Sequence, residues 1–190
     1  MYHFIKIKNR INCSGTCECA LPSPYHPSER GMTVSHTIVL PRIMEIGHDA
    51  CQKLPEVLNS LAATKPLIIT DKMMVQLGYV DKIQTLLAAE GIVADVFDDT
   101  VPEPTDSSIS AGVARIQNGA YDVIIALGGG SPIDSAKAIA ILGKFGGEIR
   151  DYKFPRQVHE SGVPIVAIPT TAGTGSEVTK FTIITDEANN

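Results

Sequence analysis

Three short runs in this chain are apolar at almost every position: residues 66–70 (PLIIT), 123–127 (VIIAL) and 164–168 (PIVAI). Runs this short, without alternation between apolar and polar residues, are typical of strands buried on both faces. Segments with helical spacing lie between them, at residues 80–90 and 106–118. Apolar strands joined by helices predict an α/β fold, a parallel sheet with helices on both faces. Ligands of such folds bind at the carboxyl ends of the strands.

The remaining periodic segments complete the predicted order of elements. The segment after Ser131 is nearly all apolar and predicts a buried helix that ends at Leu142. Asp106 is a residue type that caps helices, and it stands at the start of the helix predicted to end at Asn118. Further strands are predicted at residues 37–40, 43–46, 93–97 and 181–185, and a further helix from Gly47 to Ala63.

Residues 1–31 differ from the rest of the chain. They are rich in Cys, Pro and Ser, and they offer too little apolar surface to offset the entropy lost on ordering. We therefore expect a disordered leader at 1–31 and a domain at 32–190. A zinc cluster of Cys13, Cys17 and Cys19, with His26 nearby, is the less favoured alternative, because these cysteines lack the usual C-x2-C spacing and no second pair follows.

The charge distribution argues against some classes of partner. The chain has 16 basic and 21 acidic residues and a formal net charge of -5, and the acidic excess grows after residue 31. An acidic body without a stripe of Arg and Lys argues against a nucleic-acid partner. No run approaches the roughly 18 to 20 apolar residues that span a bilayer, and the amino terminus lacks the apolar core of a signal peptide. We expect a cytoplasmic protein without a membrane partner.

A run of three glycines, Gly128, Gly129 and Gly130, connects the strand at 123–127 to the apolar helix. Without Cβ atoms the backbone can approach a phosphate closely. The helix amino terminus adds unpaired N–H groups and the positive end of its dipole. Ser131 can cap the helix or bond a phosphate oxygen. A tight strand-to-helix turn is the alternative, but it needs fewer glycines, so the run favours a phosphate-binding loop.

Two other polar segments follow predicted strands. Asp71 ends the strand at 66–70, where a carboxylate can accept hydrogen bonds from an adenosine ribose and repel a 2′-phosphate. A helix cap is the alternative for this residue taken alone. Residues 169–177 (PTTAGTGSE) follow the strand at 164–168 and suit a loop around polar ligand atoms. For that loop, a Thr/Gly turn with local caps is the alternative.

Four segments together resemble one known family. They are Thr70-Asp71-Lys72, residues 101–105 (VPEPT), 128–138 (GGGSPIDSAKA) and 169–179 (PTTAGTGSEVT). Their combination is similar to the iron-containing (group III) alcohol dehydrogenases, nearest the butanol, lactaldehyde and propanediol dehydrogenase branch. The resemblance covers residues 32–190 and implies a Rossmann-like, dehydroquinate synthase-like amino-terminal domain that binds a dinucleotide. It also implies a carboxy-terminal helical domain, absent from this chain, that holds iron or another divalent metal.

The resemblance implies roles for residues of this chain. NAD is the implied cofactor, and NADP is disfavoured because Asp71 would face the adenosine ribose. The pyrophosphate would lie on Gly128, Gly129, Gly130 and Ser131. The other implied cofactor-binding residues are Thr170, Thr171 and Thr174 around the phosphates and the nicotinamide ribose, and Asp134, Thr179 and Ile183 near the nicotinamide. The resemblance implies no catalytic residue and no metal ligand within this chain.

The implied function is that of the NAD(P)-binding portion of a metal-dependent alcohol dehydrogenase. Such an oxidoreductase moves hydride between a small alcohol or aldehyde and nicotinamide. Because the family's metal site lies in the other domain, we expect this chain to be inactive alone. Its uncovered faces favour self-association, so a homo-oligomer is expected. Two alternatives stay open: a stand-alone nucleotide-binding module without catalysis, and a relative of the glycerol dehydrogenase type.

Overall fold

The computed structural model describes residues 4–8, 40–153, 156, 158 and 160–187. Within this part of the chain, six strands form one parallel sheet in the order β2-β1-β6-β5-β3-β4. The strands are β1 (Phe4–Lys8), β2 (Ile43–Ile46), β3 (Pro66–Ile69), β4 (Asp95–Phe97), β5 (Val123–Gly128) and β6 (Ile165–Pro169). The predicted parallel sheet is confirmed.

Helices cover both faces of this sheet, as the sequence predicts. Three of them pack on one face: α1 (Leu54–Ser60), α2 (Lys72–Gln76) and α3 (Tyr79–Ala88). On the other face lie α4 (Asp106–Gly119) and α5 (Gly130–Phe145). Single 3-10 turns are formed by Ala50–Lys53, Ile149–Tyr152 and Ser176–Val178.

The central strands are apolar throughout because each is covered on both faces. In β5, Val123, Ile125 and Leu127 belong to the core under α1–α3, whereas Ile124 and Ala126 belong to the core under α4 and α5. Every residue of β5 is buried. Full burial of one large aliphatic side chain contributes about 1.5 to 3 kcal/mol. These strands therefore anchor both layers of helices and fix the position of the loops that follow them.

The chain reverses its direction across the sheet between β3 and β5. From β3 it runs to β4 at one edge, and it then returns past β3 to β5 and on to β6. The carboxyl ends of β3 and β5 therefore border a crevice, which is where ligands bind in open parallel sheets. Asp71 follows β3 at this edge, and the three glycines come at the end of β5.

Phe4–Lys8 forms strand β1, so the expectation of a disordered leader is wrong for this segment. The backbone of β1 pairs with β2 on one side and with β6 on the other, which aligns Ile5 with both Ile43 and Val166. The letters FIKIK alternate between apolar and polar residues, which is a strand pattern. Backbone hydrogen bonds on both sides stabilise the segment as a strand. The rest of the expected leader, including its cysteines, lies outside the described residues.

Residues 181–185 do not form the predicted last strand. Only Thr185 pairs, in an isolated bridge with Thr105. The carbonyl of Phe181 and the N–H of Ile183 instead form hydrogen bonds with side chains of α5. These polar side chains satisfy the backbone groups that a neighbouring strand would have paired.

The start of α4 also differs from the prediction. Thr105, not Asp106, is the N-cap, and its hydroxyl accepts a hydrogen bond from the N–H of Ser108 at 3.3 Å. The Ser108 hydroxyl in turn accepts from the Thr105 N–H at 3.1 Å, which completes a capping box. Asp106 is the first helical residue, where a carboxylate interacts favourably with the helix dipole.

The remaining boundaries agree with the prediction to within a few residues. β2 matches the strand predicted at 43–46. The helix predicted from Gly47 to Ala63 divides into the turn Ala50–Lys53 and α1. Of the strand predicted at 37–40, only Leu40 lies within the described residues, and its backbone is irregular.

Candidate nucleotide-binding site

The glycine run turns the chain sharply from β5 into α5. Gly128 has φ +142°, a backbone conformation that residues other than glycine rarely adopt. The N-cap of α5 is Gly129, so Ser131 is not the cap that the sequence allowed it to be. No side chain forms a capping hydrogen bond at this end of the helix. N–H groups in the first turn of a helix lack partners within the helix, and Pro132 has no N–H to leave unpaired. The loop therefore presents backbone donors toward the crevice.

A second loop lies directly against these glycines. The N–H of Thr170 donates to the Gly128 carbonyl at 2.9 Å, which joins the ends of β6 and β5. A Cβ added to Gly129 would lie 3.3 Å from the Thr171 hydroxyl oxygen, and one added to Gly130 would lie 3.4 Å from Thr174. The structure thus brings together the glycines and the three threonines that the sequence proposed. Side chains on the glycines would fill the space between the two loops.

Asp71 borders the same crevice from β3. Its Oδ1 accepts a hydrogen bond from the N–H of Met74 at 2.9 Å and so caps α2. Its Oδ2 would lie 3.7 Å from a Cβ on Gly128. The cap that the sequence analysis kept as the alternative is therefore real. It engages one carboxylate oxygen and leaves the other directed toward the glycine loop.

Asp134, in the second turn of α5, holds a more distant part of the chain. Its Oδ1 accepts from the Ser176 hydroxyl and from Lys137 Nζ, the latter at 3.1 Å. Its Oδ2 accepts from the N–H of Ile183 at 3.3 Å, and its backbone carbonyl accepts from the Thr182 hydroxyl at 2.9 Å. The segment at 176–183 is thereby attached to the amino-terminal half of α5.

Lys137 belongs to the same network, although the sequence analysis did not single it out. Its side chain is only 5% exposed, and its Nζ donates to the Ser176 hydroxyl at 2.8 Å and to the Phe181 carbonyl at 2.6 Å. Burial lowers the pKa of Lys137, while the neighbouring Asp134 carboxylate acts to raise it. A signal was present in the sequence, since Asp134 and Lys137 are the charged residues in the apolar stretch 130–142 and stand three positions apart.

The two weaker candidates lie farther along this segment. Thr179 follows the turn Ser176–Val178 and is exposed. The side chain of Ile183 is also exposed, although its backbone N–H is held by Asp134. The described contacts place neither side chain against the glycine loop, and both remain predictions.

A cavity of about 550 Å³ has Lys137 among its lining residues. Its walls come from Asp106, from α5 and from described residues within 149–153, 156–165 and 180–186, and they are mainly apolar. Ile141, Tyr152 and Phe181 are among the lining residues. Gly162 contributes to the lining, whereas Gly128, Gly129 and Gly130 do not.

The described residues contain no group of three or more His, Cys, Asp or Glu side chains that could hold a metal ion. No helix among them is long and apolar enough to cross a membrane.

Comparison with known proteins places this geometry in a family. The sequence profile of the family described as iron-containing alcohol dehydrogenase matches residues 41–190. The long-chain-alcohol dehydrogenase 1 of Geobacillus thermodenitrificans is 38% identical over 153 residues, which cover 79% of this chain and 39% of that protein.

Two solved structures share the fold. A 1,3-propanediol oxidoreductase gives a TM-score of 0.78 at 33% identity, over 82% of this chain and 41% of that one. The sulfoacetaldehyde reductase of Bifidobacterium kashiwanohense, solved in complex with NAD+, gives a TM-score of 0.74 at 27% identity, over 82% of this chain and 41% of that one.

The chain spans about two fifths of the length of these relatives and matches their amino-terminal part. The family match covers both loops of the crevice, since it runs from residue 41 to residue 190. The resemblance predicted from the glycine and threonine motifs is therefore confirmed, and the chain belongs to the iron-containing alcohol dehydrogenase family.

Proposed function

We propose that this chain is the NAD-binding portion of a metal-dependent alcohol dehydrogenase. One observation carries the proposal: the glycines at the amino terminus of α5 lie against Thr171 and Thr174 of the loop after β6, beside the crevice between β3 and β5. That crevice lies where the strand order reverses, at the carboxyl ends of a parallel sheet.

The pyrophosphate of NAD fits the surface of the glycine loop. The backbone of Gly128, Gly129 and Gly130 offers close approach, and the positive end of a helix dipole favours an anion. The hydroxyl groups of Ser131, Thr170, Thr171 and Thr174 are available as further donors around the phosphates and the nicotinamide ribose. A Cβ on Gly129 would narrow this space, which supports the fit.

The adenosine ribose is proposed to lie beside Asp71. Its Oδ2 is directed toward Gly128 and can accept hydrogen bonds from ribose hydroxyls. The same negative charge would repel a 2′-phosphate, which favours NAD over NADP. The relative solved with NAD+ supports this choice of cofactor.

The nicotinamide is proposed to lie toward Asp134, with Thr179 and Ile183 beside it. When bound, the cofactor supplies the hydride chemistry, and the protein supplies orientation. Iron does not fit the described residues, because no suitable group of ligands is present among them. We therefore assign the metal to the part of the family fold that this chain does not match, together with the pocket for a small alcohol or aldehyde. A cytoplasmic homo-oligomer completes the proposal.

Calorimetric titration with NAD tests the cofactor site. Gly129→Ala should weaken NAD binding by roughly tenfold or more, because the added methyl group occupies the space between the two loops. Gly129 has φ -80°, a value that alanine adopts freely, so the fold should persist. Gly47→Ala is the matched control, since a Cβ there would have no heavy atom within 4 Å. Equal NAD affinity in both variants and the unmutated chain would contradict the proposed site.

A turnover assay tests the assignment of the metal. The purified chain is mixed with NAD, short primary alcohols or 1,2-propanediol, and ferrous or zinc ion. We expect NAD binding without NAD reduction. Metal-dependent reduction by a chain of verified mass would show that the ligands lie within these 190 residues.

A further inference from the structure

One buried cation, together with Asp134, holds the segment at 176–183 to α5. Lys137 Nζ contacts three oxygen atoms, one from α5 and two from the segment at 176–183: Asp134 Oδ1 at 3.1 Å, Ser176 Oγ at 2.8 Å and the Phe181 carbonyl at 2.6 Å. A lysine ammonium group has three N–H donors. All three are engaged within the protein, so none is left for a ligand.

We propose that Lys137 is a positioning residue that fixes the segment at 176–183 against α5 and thereby shapes the nicotinamide side of the cofactor site. This inference rests on the proposed function, because it assumes that the nicotinamide lies beside Asp134. Lys137 acts through other residues and is not itself a catalytic residue.

No other group in this network can readily replace the ammonium group of Lys137. Asp134 Oδ1 is shared between Ser176 and Lys137, while Oδ2 bonds to the Ile183 N–H. No other side chain is found bonded to the Phe181 carbonyl among the described residues. Because Lys137 is almost fully buried, water cannot readily replace its ammonium group. Its removal would release the segment from α5 at Phe181 and weaken its attachment at Ser176.

The consequence is local to one end of the cofactor. Asp71 and the glycine loop lie at the ends of β3 and β5, and neither contacts the segment at 176–183 through a described hydrogen bond. The adenosine and phosphate groups should therefore bind without Lys137. The nicotinamide should depend on it.

Parallel titrations with NAD and with ADP-ribose, which lacks the nicotinamide, test this difference. Lys137→Met keeps the length of the side chain and removes the ammonium group. We expect NAD affinity to fall about fivefold or more, the equivalent of roughly one hydrogen bond, and ADP-ribose affinity to change less than about twofold. Lys144→Met is the matched control on the same helix, since Lys144 donates to the Ser161 carbonyl at 2.6 Å, away from this segment. It should change neither affinity.

Hydrogen exchange provides a readout that does not depend on the cofactor. Backbone amides at 176–183 should exchange faster in Lys137→Met than in the unmutated chain and in Lys144→Met. Ser176→Ala, which removes a hydroxyl group and keeps the cation, should show a smaller effect of the same kind and guards against a folding failure of Lys137→Met.

The outcomes separate this proposal from the proposed function. Equal losses of NAD and ADP-ribose affinity, or unchanged exchange at 176–183, would overturn the role of Lys137. If the unmutated chain binds neither ligand, the proposed function fails. Faster exchange confined to 176–183 would then still support the attachment of the segment and overturn only its link to nicotinamide.

Discussion

Asp71 and Gly128 approach each other across the boundary between β3 and β5, with Asp71 Oδ2 only 3.7 Å from the position of a Cβ on Gly128. The other carboxylate oxygen caps α2 through the Met74 N–H. One side chain thus combines a structural role with a proposed role in cofactor choice. A substitution that separates the two roles must keep the cap and remove the charge.

Asp71→Asn is that substitution, because asparagine caps helices about as well as aspartate. We expect the unmutated chain to bind NAD more tightly than NADP. In Asp71→Asn the ratio of NAD affinity to NADP affinity should fall by up to about tenfold. The reason is that repulsion of the 2′-phosphate is lost while α2 stays capped. Titration of both cofactors against both proteins measures it. Equal affinity of the unmutated chain for NAD and NADP would remove Asp71 from this role.

The crossing of α4 and α5 depends on a glycine. A Cβ on Gly112 would lie 2.2 Å from Cδ1 of Ile139 and 3.3 Å from the Phe97 ring. Overpacking of this kind costs about 1 to 3 kcal/mol, against about 1 kcal/mol gained from the helix propensity of alanine. Gly112→Ala should therefore lower the free energy of unfolding in urea by up to about 2 kcal/mol.

Asn118→Ala is the control for Gly112→Ala. Asn118 is exposed on the same helix, so alanine should raise stability slightly through helix propensity alone, by less than about 1 kcal/mol. If Gly112→Ala and Asn118→Ala raise the free energy of unfolding by similar amounts, then α4 and α5 can move apart without loss of stability. If the added methyl group shifts α5, Gly112→Ala should also weaken NAD binding, because the glycine loop lies at the start of that helix.

Asp122 connects the loop before β3 to the start of β5. Burial acts to raise the pKa of its carboxyl group, but hydrogen bonds from the N–H groups of Thr64 and Lys65 and from the Thr64 hydroxyl outweigh this effect and lower the pKa. A carboxyl group with a lowered pKa in the folded state stabilises the fold above its unfolded-state pKa. This contribution is lost as the pH falls through the folded-state value.

Asp122→Ala should therefore destabilise the chain by about 1 to 2 kcal/mol at pH 7, since the carboxylate is partly exposed and its hydrogen bonds are weakened by solvent. The difference from the unmutated chain should narrow as the pH falls below about 4, the ordinary pKa of aspartate in the unfolded chain, toward the lower pKa of Asp122 in the folded state. Urea unfolding at several pH values measures this. Glu90→Ala, at an exposed position after α3, should show no such narrowing.

Strand β1 predicts a cost for deleting the first 31 residues. Its backbone pairs with β2 and β6, so a chain that begins at Met32 leaves both strands unpaired on that side. We expect its melting temperature to fall by more than about 4 °C. Ile5→Pro in the 190-residue chain removes one backbone donor from β1 and should also lower the melting temperature. An unchanged melting temperature in both proteins would show that Phe4–Lys8 adds nothing to stability, as expected of a disordered leader.

Local patterns in the sequence were enough for the central part of the fold. The apolar runs at 66–70, 123–127 and 164–168 predicted strands within a residue or two of β3, β5 and β6, because a strand covered on both faces has no position for a polar side chain. The glycine run predicted the turn into α5, since only glycine suits the backbone of Gly128. Chemistry and position could be inferred together there.

Longer-range partners were decided by the tertiary structure. Lys137 donates hydrogen bonds to Ser176 and Phe181, which are 39 and 44 positions away in the sequence. Nothing in the spacing of residues within α5 indicates these partners. The same contacts explain why residues 181–185 are not a strand, since α5 satisfies backbone groups that their apolar pattern alone would assign to a neighbouring strand. Sequence periodicity reports which face of an element is buried. It does not report which distant group completes a hydrogen bond, because that depends on how the elements pack.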